Sequence, residues 1–141
     1  MRKRLASVVL SVSVALPAVL GVGIVVPQIA AAASLSCTGG AYTFNSAKTT
    51  IESVGYLDCT PASAGLGVNV YLEKYTSSGW QVVAGKSYRL TGSVTHVNTY
   101  FYYGSAQVGA TYRTETDPWF FNGSYWGTIP GWWWSANLLF T

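Results

Sequence analysis

Charge is scarce in this chain, and so are the residues that usually do chemistry. Of 141 residues only 9% are charged, and there are one histidine, two cysteines and one methionine. One His and two distant Cys do not make a structural zinc site, which takes four such ligands. No C-x-x-C spacing occurs, so thiol redox work has no motif. No nucleophile elbow, Gly-rich oxyanion loop or triad signature marks any of the serines. The carboxylates Glu52, Asp58, Glu73, Glu115 and Asp117 are scattered. Glycoside hydrolysis needs two of them across a cleft, and the spacing selects no pair. Helical periodicity is also missing from residue 34 onward, and the length allows one domain rather than two. These absences lead us to expect a protein without an active site and without a cofactor or metal.

The formal charge of +3 is misleading. Arg2, Lys3 and Arg4 stand at the start with no acid among residues 1–33. Beyond them Lys48, Lys74, Lys86, Arg89 and Arg113 balance the five carboxylates. The excess positive charge belongs to the leader, so residues 34–141 have no basic surface for nucleic acid or anionic membranes. Residues 5–26 are apolar, Pro27 ends the run, and Ala31-Ala32-Ala33 supplies small residues ahead of Ser34. A positive start, an apolar stretch and an A-x-A ending make a helical secretory signal peptide over residues 1–33. Cleavage would leave residues 34–141 as one secreted domain with no stable membrane anchor. An uncleaved anchor is the alternative on length alone, since 22 apolar residues can span a bilayer. A lipoprotein with Cys37 lipidated fits less well, because Ser34 rather than Leu stands three residues before it.

In an exported chain the two cysteines most simply pair, which predicts a Cys37–Cys59 disulfide. Around it, short β-branched and aromatic runs alternate with Gly, Ser, Asn and Pro clusters. Strands are expected at residues 41–44, 50–59, 68–75, 80–84, 88–90, 94–103, 107–115 and 132–140. Ile51, Leu57 and Cys59 share one face, as do Val68, Val70 and Leu72. Residues 76–79 (TSSG) read as a hairpin turn. Residues 60–67 (TPASAGLG) read as a loop, Asp117-Pro118 as a strand end, and residues 119–131 as mostly loop. Asn122-Gly123-Ser124 reads as a turn. About seven short strands at near-regular spacing point to an all-β, antiparallel sandwich, with a small β-barrel as runner-up.

Val108-Gly109-Ala110-Thr111-Tyr112-Arg113 resembles the immunoglobulin-like strand with a Gly-x-x-Tyr pattern. The resemblance implies an immunoglobulin-like sandwich in which the Tyr makes a corner contact with the preceding connection. Residues 80–84 look like that fold's core-Trp strand. The chain as a whole is similar to small exported single-disulfide proteins of Gram-positive bacteria. The immunoglobulin inter-sheet cysteine pair is absent, so the likeness bears on architecture rather than function.

What the sequence has in plenty is aromatic surface. Its 6 Trp, 10 Tyr and 5 Phe all follow the leader. Tyr100-Phe101-Tyr102-Tyr103 puts aromatics on both faces of one strand, and an interior needs only one. Trp119-Phe120-Phe121, Tyr125-Trp126 and Trp132-Trp133-Trp134 crowd the C-terminal part. With a side-chain period of two, Trp133 faces outward if Trp132 and Trp134 are core. Exposed rings stack on sugars, anchor at interfaces or make protein hot spots. The competing reading is that a sandwich short of aliphatics fills its core with rings. His96 lies mid-strand and reads as a surface or hydrogen-bonded residue; as a base it would need an acid, with Glu115 or Asp117 available. Glu115-Thr116-Asp117 reads as a polar loop entry before it reads as a Ca²⁺ site.

The expectation is a secreted, non-enzymatic binding module that engages a cell-surface or extracellular glycan or protein. Tyr100, Tyr102, Trp119, Trp126 and Trp133 are its candidate contact residues. The alternatives are a bacteriocin-like antimicrobial, and an inhibitor of an extracellular enzyme using residues 60–67 as bait. Neutral charge argues against direct attack on anionic membranes.

Overall fold

The computed structural model describes residues 35–141, so the export signal read at residues 1–33 lies outside the described residues. The described chain is all β. Its strands are β1 (Ser36–Ala47), β2 (Thr50–Thr76), β3 (Gly79–Tyr103), β4 (Thr111–Phe121), β5 (Trp126–Thr128), β6 (Trp133–Trp134) and β7 (Leu138–Leu139). All pairings are antiparallel, within one seven-stranded sheet.

Two strands run far beyond the usual ~3–10 residues. β2 has 27 residues and β3 has 25. Both cross from one half of the molecule to the other. Residues 51–58 of β2 pair with 96–103 of β3, and residues 65–76 pair with 79–91. Between these blocks the register shifts at Asp58/Ser63 and again at Ser63/Gly65. Bulges of this kind bend a strand. The sheet therefore folds over on itself, and its two halves pack as a sandwich. The first layer is β1, the N-terminal half of β2 and the C-terminal half of β3. The second is the N-terminal half of β3, the C-terminal half of β2, and β4 with β5, β6 and β7 on its far edge.

Several local expectations change. Residues 60–67 are a strand corner rather than a free loop, and Ser63, Gly65, Leu66 and Gly67 are buried there. The bend keeps the backbone in the sheet where Pro and Gly suggested an exit. Thr60, Pro61, Ala62 and Ala64 are exposed at this corner. Asp117-Pro118 does not end a strand either, for β4 continues to Phe121. Pro118 sits opposite Val68 and is fully buried, and its carbonyl accepts from the Ile129 amide at 3.1 Å. A proline lacks only the donor, and on the side away from β2 Pro118 falls between the β5 and β6 pairings, so no ladder bond there needs that donor. The expected strand at 132–140 becomes two short pairings. It is the latter part of an interrupted strand that begins at Trp126, within the stretch read as loop. The hairpin at 76–79 forms as expected, with Thr76 opposite Gly79.

The interior holds two apolar clusters. One contains Leu57, Cys59, Leu66, Val68, Val70 and Val97; the other contains Ile51, Leu72, Ala106, Tyr112 and Phe140. A belt of hydroxyls lies between the layers as well. Thr43 Oγ1 is 2.7 Å from both Thr114 Oγ1 and Ser135 Oγ, and Thr116 Oγ1 donates to the Gly40 carbonyl at 3.1 Å. Cys37 and Cys59 are directly opposed in the β1–β2 register and form the expected disulfide. Tyr112 is buried, and its hydroxyl accepts from the Gln107 amide at 3.0 Å. Gln107 lies in the connection before β4, so the corner contact implied by the Gly-x-x-Tyr pattern is present. Trp80 is not a core residue. It lies on the outer side of the second layer, beside Arg113.

Candidate binding surface

Strand parity assigns each aromatic within a strand to a side. In the first layer the outward positions form rows across three strands. Phe44, Glu52 and Tyr102 make one row; Tyr42, Val54 and Tyr100 the next. Gly40, Tyr56 and Asn98 follow, then Thr38, Asp58 and His96. Aromatic residues therefore occupy both flanking strands, with β2 as the floor between them. Tyr42, Phe44, Tyr100 and Tyr102 are 47%, 49%, 53% and 57% exposed. The Tyr42 and Phe44 rings are stacked at 5.9 Å, and so are Tyr42 and Tyr56. Tyr100 and Tyr102 meet edge to face at 5.8 Å. Because strands are spaced by about 4.8 Å, the two aromatic ridges stand roughly 10 Å apart.

Polar groups close this trough. The Glu52 carboxylate beside Tyr102 pushes that phenol above its ordinary pKa. The neighbouring Tyr42 hydroxyl does the same to Tyr56. At the far end His96 Nδ1 is 2.6 Å from Asp58 Oδ1, both side chains being half exposed. Asp58 is thus the partner of His96. Glu115 and Asp117 lie on β4, in the other layer.

The outer face of the second layer differs in kind. There Trp80, Trp119, Trp126 and Trp134 lie beside the protein's own guanidinium groups. The Arg89 guanidinium lies 5.0 Å from the Trp119 ring centroid and 5.4 Å from that of Trp126. Arg113 lies 4.2 Å from Trp80 and 5.6 Å from Trp134, and its Nε donates to Glu73 Oε2 at 2.6 Å. Asp117 accepts from Asn69 Nδ2 and from Trp119 Nε1, both at 2.8 Å. This is an internally satisfied ladder. Gly67 makes it possible, since a Cβ there would stand 2.8 Å from Arg89 Cγ.

The five candidate residues are therefore not brought together. Tyr100 and Tyr102 lie on the open first-layer face. Trp119 and Trp126 belong to the second-layer ladder. Trp133 points inward, against the first apolar cluster, and a Cβ on Gly39 would stand 2.8 Å from its ring. The alternation in the triple Trp is thus the reverse of the one considered: Trp132 and Trp134 are exposed. β6 pairs Trp133 with the buried Thr116, which sets that parity. Sequence reading passed over Tyr42, Phe44, Tyr56 and Glu52. The available signal was alternation in β1, where Tyr42 and Phe44 bracket the inward Thr43. Asn122 does make its turn, its Oδ1 accepting from the amides of Ser124 and Tyr125.

No family model and no curated protein matches the chain. Among solved structures, one similar to it is the solution structure of CsgH from R. palustris. It has a TM-score of 0.40 and 13% identity, over 71% of this chain and 91% of that one.

Proposed function

We propose that this protein is a secreted, non-enzymatic binding module whose first-layer face holds an extended glycan chain along the strand direction. The observation that carries this reading is the pair of aromatic ridges, Tyr42 with Phe44 and Tyr100 with Tyr102, left open on one face. Several other aromatics have internal work, although Tyr75, Tyr125 and Trp132 are exposed singly or at loops. Trp133 fills the space over Gly39, Tyr56 lies over Gly40, and Trp119 and Trp126 clamp Arg89. Of the four open rings Tyr42, Phe44 and Tyr102 have no such task, while Tyr100 has the Lys86 ammonium beside it. A trough about 10 Å wide suits a pyranose chain lying lengthwise, with ring faces against the walls and hydroxyls toward Glu52 and Asp58. The disulfide fits a chain that works in an oxidising compartment outside the cytoplasm.

Pull-down on insoluble polysaccharides, followed by titration with soluble oligosaccharides, tests this. Tyr100→Ala and Tyr102→Ala are each expected to weaken binding roughly three- to tenfold, the scale of one lost aromatic contact. Tyr125→Ala, exposed in the loop before β5, serves as the control and is expected to leave binding unchanged. Equal binding by all three variants would remove the first-layer face from the reading.

A further inference from the structure

The first-layer face has an electrostatic bias. Glu52 sits at the centre of its row, between Phe44 on β1 and Tyr102 on β3. Among the described residues the ion pairs are His96 with Asp58 and Arg113 with Glu73. Glu52 thus lies between two exposed rings without a cationic partner. One row away the protein shows what this surface attracts. Lys86 reaches across the open side of the sandwich from the second layer. Its ammonium lies 5.6 Å from the Tyr100 ring centroid and donates to the Tyr100 carbonyl at 3.1 Å. Aromatic faces attract ammonium groups, and a nearby carboxylate adds to that attraction. Among the described residues no arginine lies on this face, Asp58 is already paired with His96, and Lys86 stands at the margin, so Glu52 is the carboxylate a polyanionic chain would meet without compensation.

We infer that the ligand of this face carries primary ammonium groups along an extended chain, as an amino-sugar polymer with free amines does, and that the Phe44–Glu52–Tyr102 row holds one of them. The inference rests on the glycan reading above and specifies its substrate class. A pyranose chain presents its amines at regular intervals beside apolar ring faces, which matches a carboxylate flanked by aromatic walls. A lysine-rich polypeptide offers the same charge on flexible stems without the ring faces.

The test is calorimetric titration of the purified exported protein with two oligosaccharides of equal length. One is a glucosamine hexamer buffered below its amine pKa; the other is its N-acetylated counterpart. The wild type is expected to prefer the amine form by about three- to tenfold. Glu52→Gln, which keeps the side-chain shape, is expected to abolish that preference while leaving the acetylated form bound. Equal affinity for both forms, or a preference that survives Glu52→Gln, overturns the inference. If in that case Tyr102→Ala still weakens both sugars, the glycan reading stands without it. If neither sugar binds the wild type, the inference falls, and the glycan reading is decided separately by the polysaccharide pull-down. Hexalysine bound as tightly as the glucosamine hexamer, with the same loss in Glu52→Gln, overturns the assignment to an amino-sugar chain.

Discussion

Gly55 and Val70 belong to the same strand yet face each other across the interior of the sandwich. A Cβ on Gly55 would collide with Val70 Cγ2 and with Thr116 Oγ1, and both neighbours are fully buried. The close approach exists because β2 turns back over itself, and it sets how tightly the layers meet. Gly55→Ala is therefore expected to overpack the interior and to cost about 1–3 kcal/mol in urea denaturation. Gly104→Ala, where a Cβ would meet nothing within 4 Å, is the matched control and should stay within about 0.5 kcal/mol.

Arg113 binds the second layer together by charge and by stacking. Its partner Glu73 is buried, and the guanidinium lies between the Trp80 and Trp134 rings. Arg113→Leu strands that carboxylate in a poorly hydrated place. Losses of about 3–5 kcal/mol follow from breaking such a pair. Removing both partners in Arg113→Leu/Glu73→Leu should recover most of the loss, because no unpaired charge remains. Thermal denaturation of the two single variants and the double variant completes the cycle.

Glu115 gives the same face a pH dependence. Burial raises its carboxyl pKa, as does the charge of Glu73, while the Trp134 indole and the Arg113 charge act against the rise. A carboxyl with a higher pKa in the folded state binds its proton more tightly there than in the unfolded chain. The linked stability is present below the unfolded value of about 4.3 and is lost as pH rises through the folded one. Glu115→Gln should therefore match the wild type at about pH 3 and exceed it at about pH 7. Melting temperatures measured across that range check the sign.

The parts of this fold that were legible in the sequence were those set by period two. Val68, Val70 and Leu72 face inward together, as do Ile51, Leu57 and Cys59, because alternation is a local property of a strand. The corner at residues 60–67 and the passage of β4 through Pro118 were hidden for the converse reason. Pro and Gly mark a local break, yet β2 absorbs them through its bulges, and β4 carries Pro118 without one because an unbroken register with β2 holds it in the sheet. Consecutive aromatics were illegible too. Trp132-Trp133-Trp134 alternates whichever ring is taken as core, and the choice is made by Thr116 and by the empty space over Gly39, far away in sequence. The candidate surface was half legible: Tyr100 and Tyr102 belonged to a conspicuous run, whereas Tyr42, Phe44 and Glu52 acquire meaning only through the register that brings them alongside.

The disulfide ties the start of β1 to the corner of β2. Cys37 and Cys59 are 22 residues apart, and closing a loop of that length stabilises a fold by about 3 kcal/mol in the chain-entropy account. Cys37→Ala/Cys59→Ala should lower the urea midpoint accordingly. Reductant should shift the wild type to the same midpoint and leave the double variant unchanged.

Trp133 and Tyr102 separate the structural use of aromatics from the functional one. Trp133 packs on Leu57 and its neighbours and fills the space over Gly39, so Trp133→Ala opens a cavity between the layers. Because the ring is partly buried, the loss should fall below the roughly 3–5 kcal/mol typical of truncating a fully buried Trp. Tyr102 is exposed on the first-layer face, so Tyr102→Ala should change stability by no more than about 0.5 kcal/mol. Measured side by side, the two variants should show opposite signatures. The Trp133 variant melts early but binds the oligosaccharide normally at temperatures where it remains folded. The Tyr102 variant melts like the wild type and binds weakly. A Trp133 variant that loses binding while still folded would place the ligand contact at the C-terminal edge instead of on the Tyr42–Tyr100 face.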